Sequence, residues 1–227
     1  MFKRLFLTAV LAAAVGLISG CGGNKDASSS EKSEKSTASK NTDTFKDGRD
    51  GQKYKTVKIG NQVWMAQNLN YQMGNSWCYG DDNSNCKKYG RLYDWKTASA
   101  ACPAGWHLPS HEDWNVLGLL VGAEEKIYDR VVGWVAAGGM LKSASGWEGN
   151  GNGLDAVGFS ALPGGYRQPN YPTDSYNDVG MEGAWWSSTS NSEGNAYSTN
   201  NMSYDHNDAK RTYIETRFGL SVRCIKD

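Results

Sequence analysis

The chain has 227 residues, with 24 basic and 24 acidic side chains, so its formal net charge is zero. This length suits one domain with an export segment and a linker, and the balanced charge excludes an overall field that would attract nucleic acid. Its 27 glycines, 9 tryptophans and 12 tyrosines are typical of a loop-rich domain with an aromatic core rather than of a helical bundle.

Residues 1–20 are predicted to be a lipoprotein signal peptide. A positively charged start precedes an apolar run over 5–18, which is shorter than the about 20 residues that a membrane-spanning helix needs. The run ends in ISGC (18–21), which resembles the bacterial lipobox, where cleavage precedes the cysteine and the thiol is acylated. Gly22 follows, and by analogy with Gram-negative sorting it favours the outer membrane. We therefore expect acylated Cys21 to bind membrane lipid in the bacterial cell envelope.

Residues 21–48 are predicted to contain the lipidated cysteine and a disordered tether. The segment 22–44 holds six serines and charges of both signs, but no large apolar side chain. Such a composition cannot bury enough apolar surface to fold. The folded domain is therefore predicted to occupy residues 49–227.

Four cysteines remain after Cys21, namely Cys78, Cys86, Cys102 and Cys224. An even number in an exported chain predicts two disulfides, for which three pairings are possible. We favour Cys78–Cys86, which closes a local loop rich in turn formers, and Cys102–Cys224, which ties a helix end to the last strand. Zinc is disfavoured, because the sequence contains no CxxC pair.

The first predicted element is a hairpin over 54–65. Val57 and Ile59 alternate with lysines, and Gly60-Asn61 suits a two-residue turn because glycine adopts positive φ without strain. The strands on both sides of this turn should therefore pair directly.

Two short helices are predicted next. Residues 94–102 form the first, which Asp94 can cap and which Pro103 stops. The second starts at Ser110, where the string Ser-His-Glu-Asp resembles a capping box, and it ends at Gly122. Ser110 is better explained as a cap than as a nucleophile, because these neighbouring side chains cannot aim at one another as a triad.

The remainder of the domain is predicted to be loops and short strands. Residues 122–157 show no clean period, and the expected β segments lie at 158–162, 185–189, 195–204 and 218–227. In the last of these, apolar residues alternate in phase with Cys224, which should therefore face the core.

Four short strings carry a family resemblance. They are YGRLYDW (89–95), CPAGWHLPSHEDW (102–114), GFSALPGGYR (158–167) joined to WWSST (185–189), and FGLSVRC (218–224). Their order and wording resemble the Fibrobacter succinogenes major paralogous domain, a family of secreted and lipid-anchored bacterial modules, from about residue 50 to residue 227. The resemblance implies a place in the cell envelope and implies no particular ligand.

The layout of the predicted elements also resembles a known fold. Two early helices, a loop-rich middle and a terminal strand joined to the first helix are similar to the C-type lectin-like fold, shared in its core with formylglycine-generating sulfatase modifiers. In that comparison, Cys102 and Cys224 match the long-range lectin disulfide. The expected architecture is therefore α+β and C-type lectin-like, with two short helices, short antiparallel strands and long loops. Fold likeness carries no function by itself.

Candidate metal ligands lie in one polar loop. Asp174, Asn177 and Asp178, followed by Glu182, can offer oxygen ligands to Ca²⁺. The preceding RQPN (167–170) is similar to a calcium- and sugar-binding string of C-type lectins, but WWSST on the next strand lacks their Asn-Asp pair. We therefore expect no cofactor, with Ca²⁺ at this loop as the alternative.

Candidate ligand-binding residues are aromatic. Trp147, Tyr166, Tyr171 and Tyr176 lie in Gly-, Asn- and Ser-rich segments, where we expect an exposed loop face, and Arg167 adjoins Tyr166. Flat aromatic rings of this kind stack on sugars and pack at protein interfaces.

These observations predict an outer-membrane or surface-displayed lipoprotein that carries a non-catalytic, lectin-like binding module. Its expected partner is a polysaccharide or an envelope protein, and no nucleic acid. One alternative is a structural or assembly component of the envelope. A less favoured alternative is an oxidoreductase of the formylglycine-generating type, because that chemistry needs a reactive cysteine pair and the four cysteines here are assigned to disulfides.

Overall fold

The computed structural model describes residues 42–128, 131–170, 172–191 and 196–227. These residues form two sheets and four short helices, which confirms the predicted α+β class. The predicted signal peptide and the acylation site at Cys21 lie outside the described residues.

The strands and helices are numbered separately in chain order. The strands are β1 (Thr42–Lys46), β2 (Lys53–Ile59), β3 (Gln62–Met65), β4 (Ser76–Trp77), β5 (Leu92–Tyr93), β6 (Trp106–His107), β7 (Glu124–Tyr128), β8 (Val131–Val135), β9 (Gly164–Gln168), β10 (Ser175–Val179), β11 (Glu182–Ser190), β12 (Ala196–Ser203), β13 (Ala209–Ile214), β14 (Leu220–Ser221) and β15 (Ile225–Lys226). The helices are α1 (Asn83–Tyr89), α2 (Trp95–Ala98), α3 (His111–Leu120) and α4 (Ala137–Leu141), and a 3₁₀ turn spans Tyr79–Asp81.

The smaller sheet has the strand order β1-β2-β3-β15-β6. The predicted hairpin is confirmed, since Ile59 pairs with Gln62 across the turn and Gly60 has a φ of +59°. The late strand β15 lies between β3 and β6, with Ile225 opposite both Trp64 and His107. A strand from near residue 225 therefore completes a sheet that the first strands begin.

The fold starts earlier than the predicted domain boundary at residue 49. Strand β1 pairs with β2 in antiparallel register, and Asp47 is fully buried beside the guanidinium of Arg49. The predicted tether over 21–48 is corrected accordingly, because Thr42 and the residues after it belong to the fold. The composition indicated disorder because Phe45 is the only large apolar residue in β1. An edge strand can nevertheless form, because it is held mainly by backbone hydrogen bonds to the neighbouring strand.

The larger sheet has the main order β4-β5-β14-β11-β12-β13-β8-β7, with β9 beside β11 and β10 beside β9. Most pairings are antiparallel, as predicted, but β11 runs parallel to both β14 and β9. The predicted β segment at 158–162 forms only a single bridge, between Ala161 and Lys142. Strand β11 is therefore the centre of the sheet.

The two predicted helices are confirmed as α2 and α3. Asp94 caps α2 by accepting a hydrogen bond from the Thr97 amide at 2.8 Å, although the helix ends at Ala98 rather than at residue 102. Ser110 and Asp113 form the predicted capping box of α3. None of the helices built from the described residues is long and apolar enough to cross a membrane.

Helices α1 and α4 were not predicted. Helix α1 has no apolar period, and it is held by the Asp82 cap and by the disulfide at Cys86. Helix α4 forms where two glycines allow close packing, because a Cβ at Gly138 would lie 2.7 Å from the Asp208 carbonyl oxygen. Caps, disulfides and close glycine contacts do not produce a hydrophobic period in the sequence. The usual pattern for predicting a helix is therefore missing from both segments.

Both predicted disulfides are confirmed. Cys78 is bonded to Cys86, eight residues away, and Cys102 is bonded to Cys224, 122 residues away. The second bond joins the segment after α2 to the segment between β14 and β15. It therefore closes most of the domain into one covalent loop.

The core contains a charged group that sequence patterning did not indicate. Arg223 is fully buried, and its Nε and Nη2 donate to Asn68 Oδ1 at 3.1 and 2.8 Å. Trp185 Nε1 donates to the same oxygen at 2.8 Å. Arg223 also donates to the Phe159 carbonyl and lies over the Phe159 ring. We call Asn68, Trp185 and Arg223 the polar hub.

Candidate functional site

A groove of about 290 Å³ opens on the larger sheet. Five strands and the segment before β14 provide its lining, which consists of Tyr166, Gln168, Glu182, Ala184, Asn201, Ile214, Phe218 and Leu220. Side chains two residues apart on a strand share a face, which explains why Tyr166 and Gln168 on β9, and Glu182 and Ala184 on β11, meet here. We call this cavity the Tyr166 groove.

Two aromatic rings form the apolar side of the Tyr166 groove. The rings of Tyr166 and Phe218 lie 6.3 Å apart between centroids, and both residues are half-buried. Backbone hydrogen bonds in both directions between Arg167 and Gly219, at 2.9 and 2.8 Å, hold the Phe218 segment beside β9. The rings are therefore positioned by the sheet rather than by a free loop.

Polar groups form the rest of the groove. Glu182 is half-buried, and burial, followed by the charges of Asp178 and Asp205, raises the pKa of its carboxyl group. No basic side chain among the described residues forms an ion pair with Glu182. Burial, the charge of Asp178 and a hydrogen bond to Asp178 raise the pKa of Tyr166 to about 12. At neutral pH the groove therefore presents a neutral phenol beside a carboxyl group that has no basic partner among the described residues.

Glu182→Gln is expected to stabilise the fold at neutral pH. The pKa of Glu182 is higher in the folded chain than in the unfolded chain, so ionisation favours unfolding. The stabilising contribution of the protonated form is complete below the unfolded pKa of about 4.3 and is lost as the pH rises through the folded pKa. Thermal unfolding should therefore give a higher Tm for Glu182→Gln at about pH 7, and a difference that vanishes near pH 3.5.

The exposed Glu125 on β7 supplies the matched control. Glu125→Gln removes one negative charge without relieving a buried carboxylate, so it should leave the Tm nearly unchanged at both pH values. Equal Tm values for Glu182→Gln and the unmodified chain at neutral pH would contradict the argument. A carboxylate that lowers stability is typical of a functional site.

The other face of β9 carries two more of the predicted residues. The guanidinium of Arg167 lies 3.7 Å from the Trp77 ring centroid and forms an ion pair with Asp174. Tyr176, opposite Arg167 in the register, donates from its hydroxyl to Asp81 Oδ1 at 2.6 Å. Arg167 and Tyr176 therefore fasten the β9–β10 pair to the neighbouring turn, whereas Tyr166 faces the groove.

Trp147 is not exposed as predicted. Its side chain is 5% exposed, and its Nε1 donates to the Ala161 carbonyl at 3.1 Å. The residues on both sides of Trp147, 144–146 and 148–150, are exposed as their composition indicates, but the indole ring itself is buried in the core. Tyr171, another predicted ligand-binding residue, lies outside the described residues.

The polar loop side chains proposed for Ca²⁺ have protein partners. Asp174 pairs with Arg167, Asn177 Nδ2 donates to Ser175 Oγ at 3.1 Å, and Asp178 accepts from Tyr166. Within the described ranges, no group of three or more His, Cys, Asp or Glu side chains is arranged to hold a metal ion.

Sequence reasoning missed part of the Tyr166 groove. It named Tyr166 as a binding candidate, but it assigned Glu182 to a calcium loop, placed Gln168 in a string compared with calcium-binding lectins, and gave Asn201 and Phe218 no binding role. The alternation of apolar residues in 218–224 places Phe218 on the core face of its strand. This alternation was the one sequence pattern that could have indicated Phe218 as part of the groove. The parallel bridge between Gly165 and Gly183, which brings β9 beside β11, has no sequence signature.

The fold and the groove define a disulfide-bonded α+β domain with a ligand-sized groove on its larger sheet. The chain belongs to the Fibrobacter succinogenes major domain family, whose sequence profile matches residues 57–226. The matched range contains both disulfides and every residue that lines the Tyr166 groove. The comparison with curated proteins and the comparison with solved structures gave no match.

Proposed function

We propose that this chain is an outer-membrane or surface-displayed lipoprotein whose domain is a non-catalytic, lectin-like module that binds carbohydrate. The Tyr166 groove is the observation that carries the proposal. It combines two half-buried aromatic rings with a carboxylate and two side-chain amides. Aromatic rings stack on the apolar faces of sugars, while carboxylate and amide groups pair with ring hydroxyls.

The size and charge of the groove limit the class of ligand that it can bind. Its volume of about 290 Å³ lies at the lower end of small-molecule sites, which range over about 300–1,000 Å³. Among the described residues, the lining contains one carboxyl group, that of Glu182, and no basic side chain. An acidic sugar would bring a second negative charge beside Glu182, so a neutral sugar residue is the preferred ligand.

The finer description of the fold is also a proposal. Two features support a C-type lectin-like architecture, namely the helix pair α2 and α3 and the long-range disulfide between Cys102 and Cys224. The disulfide joins the segment after the first of these helices to the segment before the last strand, as the lectin comparison requires.

Membrane anchoring rests on the sequence ISGC at 18–21. We propose that acylated Cys21 binds membrane lipid and that residues up to the start of β1 separate the domain from the bilayer. The proposal includes no cofactor, no metal ion and no catalytic residue.

A glycan-array and cellulose binding assay on the full chain, purified in detergent with its disulfides intact, tests the function. We expect retention on neutral glycans and at least about tenfold weaker binding for Tyr166→Ala and Phe218→Ala, since each removes one aromatic face. Uronic-acid polymers should bind more weakly than neutral ones. Adding Ca²⁺ or a chelator should change nothing, and the mass of the peptide that begins at Cys21 should show acylation.

Tyr176→Ala is the matched control, because Tyr176 lies on the same strand pair but on its opposite face. The proposal predicts that this variant keeps its glycan binding as long as circular dichroism shows it folded. Absence of glycan binding, or equal losses for Tyr166→Ala and Tyr176→Ala, would overturn it. Self-association without glycan binding would then support a structural or assembly role, and retention on an envelope protein would support a protein ligand.

A further inference from the structure

We propose that the Cys78–Cys86 disulfide is a site of thiol–disulfide exchange, where Cys86 accepts an anionic low-molecular-weight thiol. This inference is independent of the carbohydrate proposal, because it concerns a different cavity. Its basis is the position of one guanidinium group relative to the two sulfur atoms.

The Arg91 guanidinium lies against the disulfide. Its Nη1 is 3.6 Å from the Sγ atoms of both Cys78 and Cys86. The group is fixed in this position by Ser76, which accepts from Arg91 Nε at its Oγ and from Nη2 at its carbonyl oxygen, both at 3.1 Å. No carboxylate among the described residues forms an ion pair with Arg91. Its charge is therefore available to a sulfur that becomes negative.

A solvent-open cavity of about 460 Å³ leads to Cys86. Arg91 and Lys87 line it with positive charge and Asp50 with negative charge, so the balance of the lining favours an anion. Asn70 also lines the cavity, and its Oδ1 is buried without a hydrogen-bond partner among the described groups. An anionic thiol that also carries an amide or ammonium N–H would satisfy both features.

The exchange has two balanced steps. The external thiolate attacks Cys86 Sγ and forms a mixed disulfide, while the Cys78–Cys86 bond breaks and its electron pair leaves on Cys78 Sγ. Arg91 then faces the Cys78 thiolate, and a nearby cation favours a thiolate over a thiol. A second thiolate attacks the external sulfur of the mixed disulfide, which releases Cys86 and gives the oxidised dimer of the small thiol. A leaving group that is more stable as a thiolate leaves faster.

The second disulfide differs in its charged surroundings and in its loop length. Cys78 and Cys86 are each 6% exposed, Cys224 is fully buried and Cys102 is half-buried, so exposure does not separate the two bonds. Among the described residues, a guanidinium donates to the sulfurs of Cys78 and Cys86 and none donates to those of Cys102 and Cys224. Its partner cysteines are 122 residues apart, compared with eight for Cys78 and Cys86. Opening the short loop restores far less freedom to the chain, so the fold tolerates it better. Exchange should therefore be confined to the Cys78–Cys86 bond.

Reaction of the oxidised full chain with reduced glutathione tests the proposal. Samples are acid-quenched and alkylated, and peptide masses then locate the mixed disulfide. The same reaction is run with cysteamine, which is cationic, and each rate is divided by the rate of that thiol with a small model disulfide. We expect a mixed disulfide between glutathione and Cys86 to form before the Cys102–Cys224 bond opens. The normalised rate of exchange with glutathione should be several-fold higher than that with cysteamine.

Two variants test the assigned residues. Arg91→Gln should slow exchange by about three- to tenfold with both thiols, because the leaving thiolate loses its cation. Lys87→Gln changes an exposed side chain and should reduce only the advantage of glutathione over cysteamine. Arg217→Gln, at an exposed arginine elsewhere, serves as the control. Equal or faster opening of Cys102–Cys224, or a Lys87→Gln variant with an unchanged ratio between the two thiols, would overturn the proposal.

Discussion

Asn68→Ala is expected to lower the free energy of unfolding by about 3–5 kcal/mol. The substitution removes the oxygen that accepts from Arg223 Nε and Nη2 and from Trp185 Nε1. Burial lowers the pKa of Arg223 to about 9, so the guanidinium remains mostly protonated at neutral pH. The variant would therefore leave a charged group deep in the core without its two hydrogen bonds to Asn68, and only its hydrogen bonds to the Phe159 and Ser160 carbonyl oxygens would remain.

Urea unfolding followed by circular dichroism measures this effect. Asn75→Ala provides the control, because Asn75 is exposed and its side-chain amide donates a hydrogen bond to the carboxylate of Asp94. We expect that control to lose no more than about 1 kcal/mol. If Asn68→Ala also loses less than about 1 kcal/mol, the polar hub does not contribute to stability in the way that its geometry indicates.

Removal of the Cys102–Cys224 disulfide is expected to cost about 5 kcal/mol, the other large effect. The chain-entropy relation gives this value for a loop of 122 residues. The same relation gives only about 2.5 kcal/mol for the eight-residue separation of Cys78 and Cys86. The double variant Cys102→Ala/Cys224→Ala should therefore unfold at much lower urea concentration than Cys78→Ala/Cys86→Ala.

The comparison of the two double variants controls for the loss of sulfur atoms, since each lacks two. Unfolding must be followed without reductant so that the remaining bond stays intact. Equal losses in the two variants, or a larger loss for the short loop, would show that local packing outweighs loop closure. A small loss for Cys78→Ala/Cys86→Ala would also agree with an exchangeable bond at that position.

Features set by neighbouring residues could be predicted from the sequence. Asp94 and Ser110 cap helices through contacts within three residues, and Gly60 allows the hairpin turn through its own backbone. The disulfides could also be predicted, because Cys224 alternates with buried residues in the last segment. In each case the determining interaction is local or follows a strict period.

Features set by distant residues could not be predicted in this way. The parallel pairing of β9 with β11 creates the Tyr166 groove, and no pattern in either strand specifies it. Trp147 lies in a segment with the composition of a surface loop, yet the core encloses its ring. Arg223 is charged, and a charged side chain is expected at the surface. Its burial could not be predicted because it depends on a hydrogen bond to Asn68, 155 residues earlier.

The position of β15 has a consequence for the order of folding. Ile225 pairs with Trp64, and Arg223 bonds to Asn68, so both the centre of the smaller sheet and the polar hub need residues from the two ends of the domain. A chain that emerges from its N-terminal end cannot complete either feature until residues near 225 are available. Such non-local closure is slow, and during the delay the early hairpin exposes Trp64 to chaperones and to neighbouring chains.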